Sequence, residues 1–471
     1  MDVASRDEQL FHQAILGFDE GALAAWITRR TAASEGDGGA ADGLAADMVA
    51  EVARAWLALM RGASATVAAG AGELFARASS SRDPSRVIEV TALRAMLALS
   101  LGQLSDAAAF ARRASLMART EALPAAELLA NVTLSRLRRH SGKPYLALRI
   151  LESLGRTDAA RAAPGWLEWE RFLAGGADTN EPSGDASGPA LRAVQAGRRV
   201  LDAARAGQRD DFEQQAAELE RASAGFSDMQ REARALCALL DPTRAAEEPL
   251  AAFRRGEHDE LWHGLTSVPA LHAESEPSTG ILAVARPGER GSRLLRDGLG
   301  LFGPCRTFFE AGARVHGRTD TALSVLVLAG PDAQPEEEFF RRVYGFAYSS
   351  AKHRGVLDVL LHRVRQRIAA SGALLRANGG LRLELCEAIA VTDPRCSPPA
   401  AARVLSALSR QPTATAETIA VRLGITPRAV QMALRELVSD GACEVRRSGR
   451  QVRYQLLDST FSEPTGTDVL G

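Results

Sequence analysis

The residues that most often carry chemistry are sparse in this chain and badly spaced. His258 and His263 flank Asp259 and Glu260 in a segment that reads as helix. Their offset of five turns the imidazoles to different faces, whereas metal-binding pairs sit at i and i+3 or i+4. Gly142-Lys143 is followed by Pro144 in place of Ser or Thr, so the phosphate-gripping lysine loop is missing. No HExxH, GxSxG or GxGxxG occurs in a suitable context. Catalytic residues, cofactors and metals are therefore not expected. The side chains that remain suited to a chemical task are cations and amides placed for a polyanion. One set is Thr426, Arg428, Gln431, Met432 and Arg435, followed by Arg446, Arg447, Arg450 and Arg453. Arginine and glutamine can read guanine and adenine edges, and further arginines can hold phosphates. A second set is Lys352, His353, Arg354, His362, Arg363 and Arg365.

Composition limits what can position them. The chain has 471 residues, and 57 basic against 58 acidic side chains give a net charge of −1. Any basic surface must therefore be local, and the molecule is no polybasic coat. Only Lys143 and Lys352 are lysines, so arginine carries little meaning by its identity alone. The five cysteines (Cys237, Cys305, Cys386, Cys396 and Cys443) form no CxxC pair, and their odd number argues for a reducing compartment. The N-terminus lacks an apolar signal core, and no uncharged apolar run of about 18 residues follows. These features predict a soluble cytoplasmic protein without membrane contact. At roughly 150 residues per domain the length suggests about three units.

The N-terminal half repeats. Gly62, Gly102 and Gly142 lie forty residues apart, each after an apolar helical run: Val52 to Met60, Leu93 to Leu101 and Leu128 to Leu137. Each precedes another helix rich in alanine and leucine. Glycine ends a helix by tolerating a left-handed conformation. Ala107, Ala111 and Ala114 then form a small-residue stripe that lets a neighbouring helix approach. Gly142 with Ala147, Leu148, Leu151 and Leu154 repeats the pattern, and Gly207 with Phe212, Ala216 and Leu219 is a weaker copy. This half resembles the tetratricopeptide-repeat family over residues 47–262. The resemblance implies helix pairs whose groove holds a protein or peptide partner. Residues 1–46 are expected as an N-terminal helix and flexible loop, with composition breaks at Glu35 to Gly43 and at 175–190.

After Pro269 the pattern changes. Gly280 to Ala285 and Arg293 to Leu295 flank a Pro287-Gly288 turn as short strands, and Leu299 to Phe302 and Thr307 to Phe309 continue that character. Thr321 to Ala329 reads as a buried helix. Pro335 followed by three glutamates opens another, which runs to Tyr344 and stops at Gly345. In the helix from Lys352 to Ile368, Leu357, Leu361, Val364 and Ile368 face a core, while Arg354, Asp358, His362 and Arg365 form a polar stripe. Asp358 needs a partner, Arg354 or His362, if it is not to repel phosphate. Asn378-Gly379 between two apolar runs predicts a hairpin. From Arg341 to Arg382 nine basic residues face one acid, Asp358. Residues 280–386 resemble the winged-helix DNA-binding domain of OmpR/PhoB-type response regulators, with Tyr344 where that family usually has tryptophan. No receiver domain precedes it, so phosphorylation control does not carry over. The resemblance implies a possible RNA polymerase contact at Phe346 to His353, and the unit is bounded at 270–390.

A second such unit spans 397–458. Ala400 to Ser409 and Thr415 to Leu423 read as helices, the latter capped by Thr413 or Thr415. Gly424-Ile425-Thr426-Pro427 is a turn, and Pro427 to Ser439 the third helix. Val430, Leu434, Leu437 and Val438 face inward there, and Gly441 ends the helix. Two strands then pair around Ser448-Gly449, with arginines and no acid near the tip. This segment resembles the bacterial winged helix-turn-helix superfamily, and 462–471 reads as a disordered tail. The fold class expected is mainly α: a tetratricopeptide-like array followed by two winged-helix α+β domains. The function expected is transcription regulation on double-stranded DNA, with the array as sensor or partner module. The alternative is a non-enzymatic adaptor whose winged helices are docking surfaces. The C-terminal unit, free of acid on its outward face, is expected to contribute most of the DNA affinity.

Overall fold

The structure is a computed structural model. It describes residues 3–36, 40–140, 144–174, 188–241, 244, 255, 281–295, 306–307, 317–377, 380–396, 400–409, 413–439, 442–448 and 451–456. The chain is mostly helical. Helices α1 (Val3–Leu16), α2 (Glu20–Gly36) and α3 (Ala40–Met60) lead into α4 (Ser64–Ser80), α5 (Pro84–Ser100), α6 (Leu104–Thr120), α7 (Pro124–His140) and α8 (Pro144–Leu154). Helices α4 to α7 have 17 residues each. The middle turn residue between them has positive φ: Gly62 at +84°, Arg82 at +59°, Gly102 at +75° and Ala122 at +52°. The forty-residue glycine spacing is thus the spacing of every second turn. The turns between are built on Arg82 and Ala122 and carry no glycine. Gly142 lies outside the described residues. A helix pair every forty residues is longer than the tetratricopeptide period of about 34.

The array closes on itself. Helices α9 (Asp158–Ala162), α10 (Gly165–Leu173), α11 (Pro189–Ala206), α12 (Arg209–Ser223) and α13 (Ser227–Leu240) return along it. Helix α7 contacts α1, α5, α6, α8, α9 and α10, and α13 contacts α3. In α7 every residue from Leu128 to Leu137 is buried, so it is a central helix and not the lining of an open groove. Phe11 of α1 and Trp26 of α2 belong to the same core. Helices α1 and α2 therefore pack into the core of the array. Glu35 and Gly36 end α2 and Ala40 opens α3, so much of the expected break at Glu35 to Gly43 is helix.

A buried ion cluster joins the closing helices. Arg136 of α7 meets Glu170 of α10 at 2.8 Å and Glu232 of α13 at 3.0 Å, and Arg139 bonds both of the same carboxylates. Trp166 Nε1–H donates to Glu170 at 3.1 Å and Trp169 Nε1–H to Glu232 at 2.9 Å. Burial alone would push the Glu232 carboxyl up, but Arg136 and Arg139 beside it hold it well below the usual carboxylate range.

Beyond the array, β1 (Ile281–Ala285), β2 (Ser292–Leu295), β3 (Arg306–Thr307) and β7 (Ile389–Thr392) form a sheet in the order β2-β1-β7-β3, with only β3 and β7 parallel. Helix α14 (Gly317–Ala329), buried from Thr319 on, packs against it. Next come β4 (Gln334–Pro335), α15 (Glu336–Tyr344), α16 (Ser350–Ile368), β5 (Gly372–Ala377) and β6 (Gly380–Leu385). The latter two pair antiparallel, with Ala377 opposite Gly380. Strand β7, four residues long and unforeseen, carries the chain back into the first sheet. There Asp393 meets Arg293 at 2.8 Å and Arg395 at 2.9 Å, and both Asp393 and Arg293 are fully buried. Ile281 and Cys396 enter the array's core.

The last unit comprises α17 (Ala400–Ser409), α18 (Ala416–Leu423), α19 (Pro427–Ser439) and the hairpin β8 (Cys443–Ser448) with β9 (Gln451–Leu456). Leu146 of α8 packs against its core, so this unit also rests on the array. Among the described residues no helix is long and apolar enough to cross a membrane. Several expectations fall outside the described residues: His258 and His263, most of the 175–190 loop, Leu299 to Phe302, Asn378-Gly379, Gly441 and the 462–471 tail.

Candidate nucleic-acid interface

In the C-terminal unit each turn of the motif has a local cause. Thr415 Oγ1 accepts from Thr418 N–H at 3.2 Å and starts α18, which decides between the two threonine caps. Gly424, at φ +60°, ends α18 in the left-handed conformation that glycine adopts without strain. Thr426 Oγ1 accepts from Ala429 N–H at 3.2 Å, so Thr426 is a cap for α19 as well as an exposed neighbour of its first turn. Val430, Ala433, Leu434 and Leu437 are buried, which leaves Arg428, Gln431, Met432 and Arg435 in solvent. Met432 is 63% exposed, a large apolar side chain with nothing of this unit covering it.

The hairpin's base is fixed to the helices by a bridge the sequence did not announce. Ala414 N–H donates to Tyr454 O at 3.0 Å and Tyr454 N–H to Ala414 O at 2.8 Å. Strand pairing puts Cys443, Val445, Arg447, Val452, Tyr454 and Leu456 on one face. Burial raises the Cys443 thiol to about 11, so it stays protonated and acts as a core side chain. Arg446, Arg447 and Arg453 are exposed. Arg446 Nε meets Glu444 Oε1 at 2.8 Å, so an acid stands near the hairpin's base, away from its tip. Glu436 is likewise an exposed acid beside Arg435 on α19. Neither stands at one of the four outward positions of α19 or at the hairpin's tip. Arg450 lies outside the described residues.

In the first unit, Lys352, Arg354, His362, Arg363 and Arg365 are all exposed on α16. Of these, the four cations Lys352, Arg354, Arg363 and Arg365 have no acid partner among the described residues. His353 is different. Its ring stacks on Phe340 at 5.0 Å and 13°, and Nδ1 accepts the Ser349 N–H at 2.9 Å. It holds the start of α16 against an aromatic cluster instead of facing outward. Asp358 pairs with Arg376 of β5 at 2.9 Å, not with Arg354 or His362, and Arg376 also grips Glu336. The hairpin thus neutralises the acid that the helix sequence left unpaired. Other cations of the basic run are matched too: Arg341 and Arg342 with Glu338, Arg367 near Asp320, Arg382 with Glu384. Val356 and Val359, 48% and 53% exposed, lie among the free cations and were not foreseen as surface residues. Apolar side chains there suit contact with a thymine methyl group.

Residues 398–453 match the MarR family. No curated protein and no solved structure matches the chain. The chain therefore carries a MarR-family winged helix-turn-helix domain at its C-terminus behind a helical N-terminal region. This match covers the segment in which α19 presents its arginines and glutamine.

Proposed function

We propose, from the premise that the C-terminal domain is of a DNA-binding type, that the protein regulates transcription as a two-headed DNA reader. Helices α19 and α16 are the two heads, and the closed helical array is the module that senses an effector or partner. The observation that carries this reading is the exposed face Arg428, Gln431 and Arg435 beside the arginines of the β8–β9 hairpin. Direct readout belongs to Arg428, Gln431 and Arg435, and phosphate contact to Arg447, Arg450 and Arg453. Lys352, Arg354, Arg363 and Arg365 add affinity from the first head. No more than three residues separate the helical turn at Pro394–Cys396 from α17, so the two heads act on neighbouring stretches of one duplex. Phe346, 50% exposed before α16, is the surface an RNA polymerase contact would use.

Footprinting of the full chain on genomic promoter fragments tests this reading. Protected, salt-sensitive sites are expected. Absence of any electrophoretic shift at low salt would overturn it and leave the adaptor reading, in which the winged helices dock proteins.

A further inference from the structure

Several arginines of the array are paired with carboxylates: Arg77 with Glu51, Arg86 with Glu8 and Glu89, Arg136 and Arg139 with Glu170 and Glu232. Arg94 and Arg113 are held instead by aromatic rings. From Ile88 to Ala98 on α5, Arg94 alone is not buried. Its guanidinium lies 4.1 Å from the centre of the Phe110 ring on α6 and 5.0 Å from that of Phe75 on α4. Arg113, three residues after Phe110, places its own guanidinium 5.4 Å from the same Phe75 ring. Among the described residues neither arginine has an acid within ion-pair distance.

Aromatic faces hold a guanidinium by cation–π attraction, which orients it without using its N–H donors. Both forks are therefore set in place with their hydrogen-bonding capacity unspent. Two like charges sharing one ring also disfavour each other: partial burial first, and then Arg113, lowers the Arg94 pKa. An arriving anion would relieve that repulsion. Leu116, one turn beyond Arg113, is 44% exposed, so an apolar contact lies beside the charges. Glu73 on α4 and Asp106 on α6 are exposed acids on the same helices, which disfavours a long polyanion here.

We propose that Arg94 and Arg113, seated on Phe75 and Phe110, form a docking site for an acidic segment of a partner protein. Carboxylates of that segment take the two guanidinium groups in charge-assisted hydrogen bonds, and a neighbouring apolar side chain lies on Leu116. This rests on the array being the partner module and is independent of DNA binding.

The test uses the full chain and a fluorescein-labelled peptide of alternating leucine and glutamate, followed by anisotropy. Its leucine–glutamine counterpart is the control. Saturable binding of the glutamate peptide is expected, with about tenfold weaker binding for the glutamine one. Arg113→Gln and Arg94→Gln should each weaken the glutamate peptide by about tenfold. Arg112→Gln, at an exposed arginine next door, should leave it unchanged. If Arg94→Gln fails to fold, Arg113→Gln carries the test, because its side chain is exposed. The proposal is overturned if the glutamate peptide does not bind, if the two peptides bind alike, or if Arg112→Gln is as harmful as Arg113→Gln. It is also overturned if Arg113→Gln weakens DNA binding, since the pair would then belong to a nucleic-acid surface. That last result would leave the transcription reading intact, and loss of all DNA binding by the wild type would leave this one intact.

Discussion

Arginine does opposite work at two places in this molecule, the buried cluster of the array and the outer faces of α16 and α19. In the array, Arg136 and Arg139 are 2% and 0% exposed, and each is shared between Glu170 and Glu232. On α16 and α19, Arg354, Arg363, Arg365, Arg428 and Arg435 stand in water with no acid partner among the described residues. The same side chain is a cross-link where it meets buried carboxylates and, in the function proposed above, a DNA contact where it does not. A buried pair broken at one end leaves an uncompensated charge, whereas an exposed arginine is removed at little cost to the fold. The contrast separates residues that hold the fold from residues that leave it unaffected, and each set can be altered without touching the other.

The largest effect should come from the cluster. Glu232→Ala should destabilise the protein by about 3–5 kcal/mol in denaturant unfolding, because Arg136 and Arg139 then lose a shared carboxylate. Unchanged stability would break the contrast at its strongest point. The same cluster sets a pH dependence. The Glu232 carboxyl is held below its unfolded value, so its stabilisation is present above the ordinary carboxylate range and is lost as pH falls through the folded value. Glu232→Gln should therefore flatten the acid side of the stability profile; a parallel profile would show that the cluster does not govern it.

Next in size is Arg435→Ala. It should cost about 1–3 kcal/mol at one DNA site and relax selectivity there, with thermal stability unchanged. Arg363→Ala should weaken all sequences alike and lower the salt slope by about 1, measured on the same promoter. If Arg363→Ala proves the more selective loss, the ranking of the two heads inverts. Asp358, already matched by Arg376, makes that outcome less remote than the helix sequence suggested.

The smallest effect tests the turns. Gly102 has φ +75° and open space where a Cβ would stand, while Ala122 holds φ +52°. Gly102→Val should destabilise by roughly 1 kcal/mol through backbone strain alone, and Ala122→Gly should raise the melting temperature slightly. Equal response at both positions would mean that the turns are not equivalent units of one repeat.

Much of the fold could be read along the chain. Helical spacing at Leu357, Leu361, Val364 and Ile368, and at Val430, Leu434 and Leu437, places those side chains in cores, and all are buried. Gly424-Ile425-Thr426-Pro427 could be read because each residue acts within a few neighbours. The Arg82 and Ala122 turns could not: there the surrounding helices impose a conformation that neither residue favours. The place of His353 could not be read either, since an imidazole looks the same in sequence whether it faces solvent or stacks on Phe340.

What the sequence determined by itself is therefore local: helix lengths, caps, turn glycines, the period-two strands of the wing, and the face of α19 that must stay out of the core. These depend on residues within about one turn or one hairpin of each other, where backbone geometry dictates who meets whom. The tertiary structure alone decided the matching of charge. Arg136 finds Glu170 and Glu232 across 34 and 96 residues, and Arg376 finds Asp358 across 18. Such partners leave no periodic trace, because an ion pair needs proximity in space and no fixed offset in the chain. Which arginines are left over to meet DNA or a partner could be known only once the others had been paired.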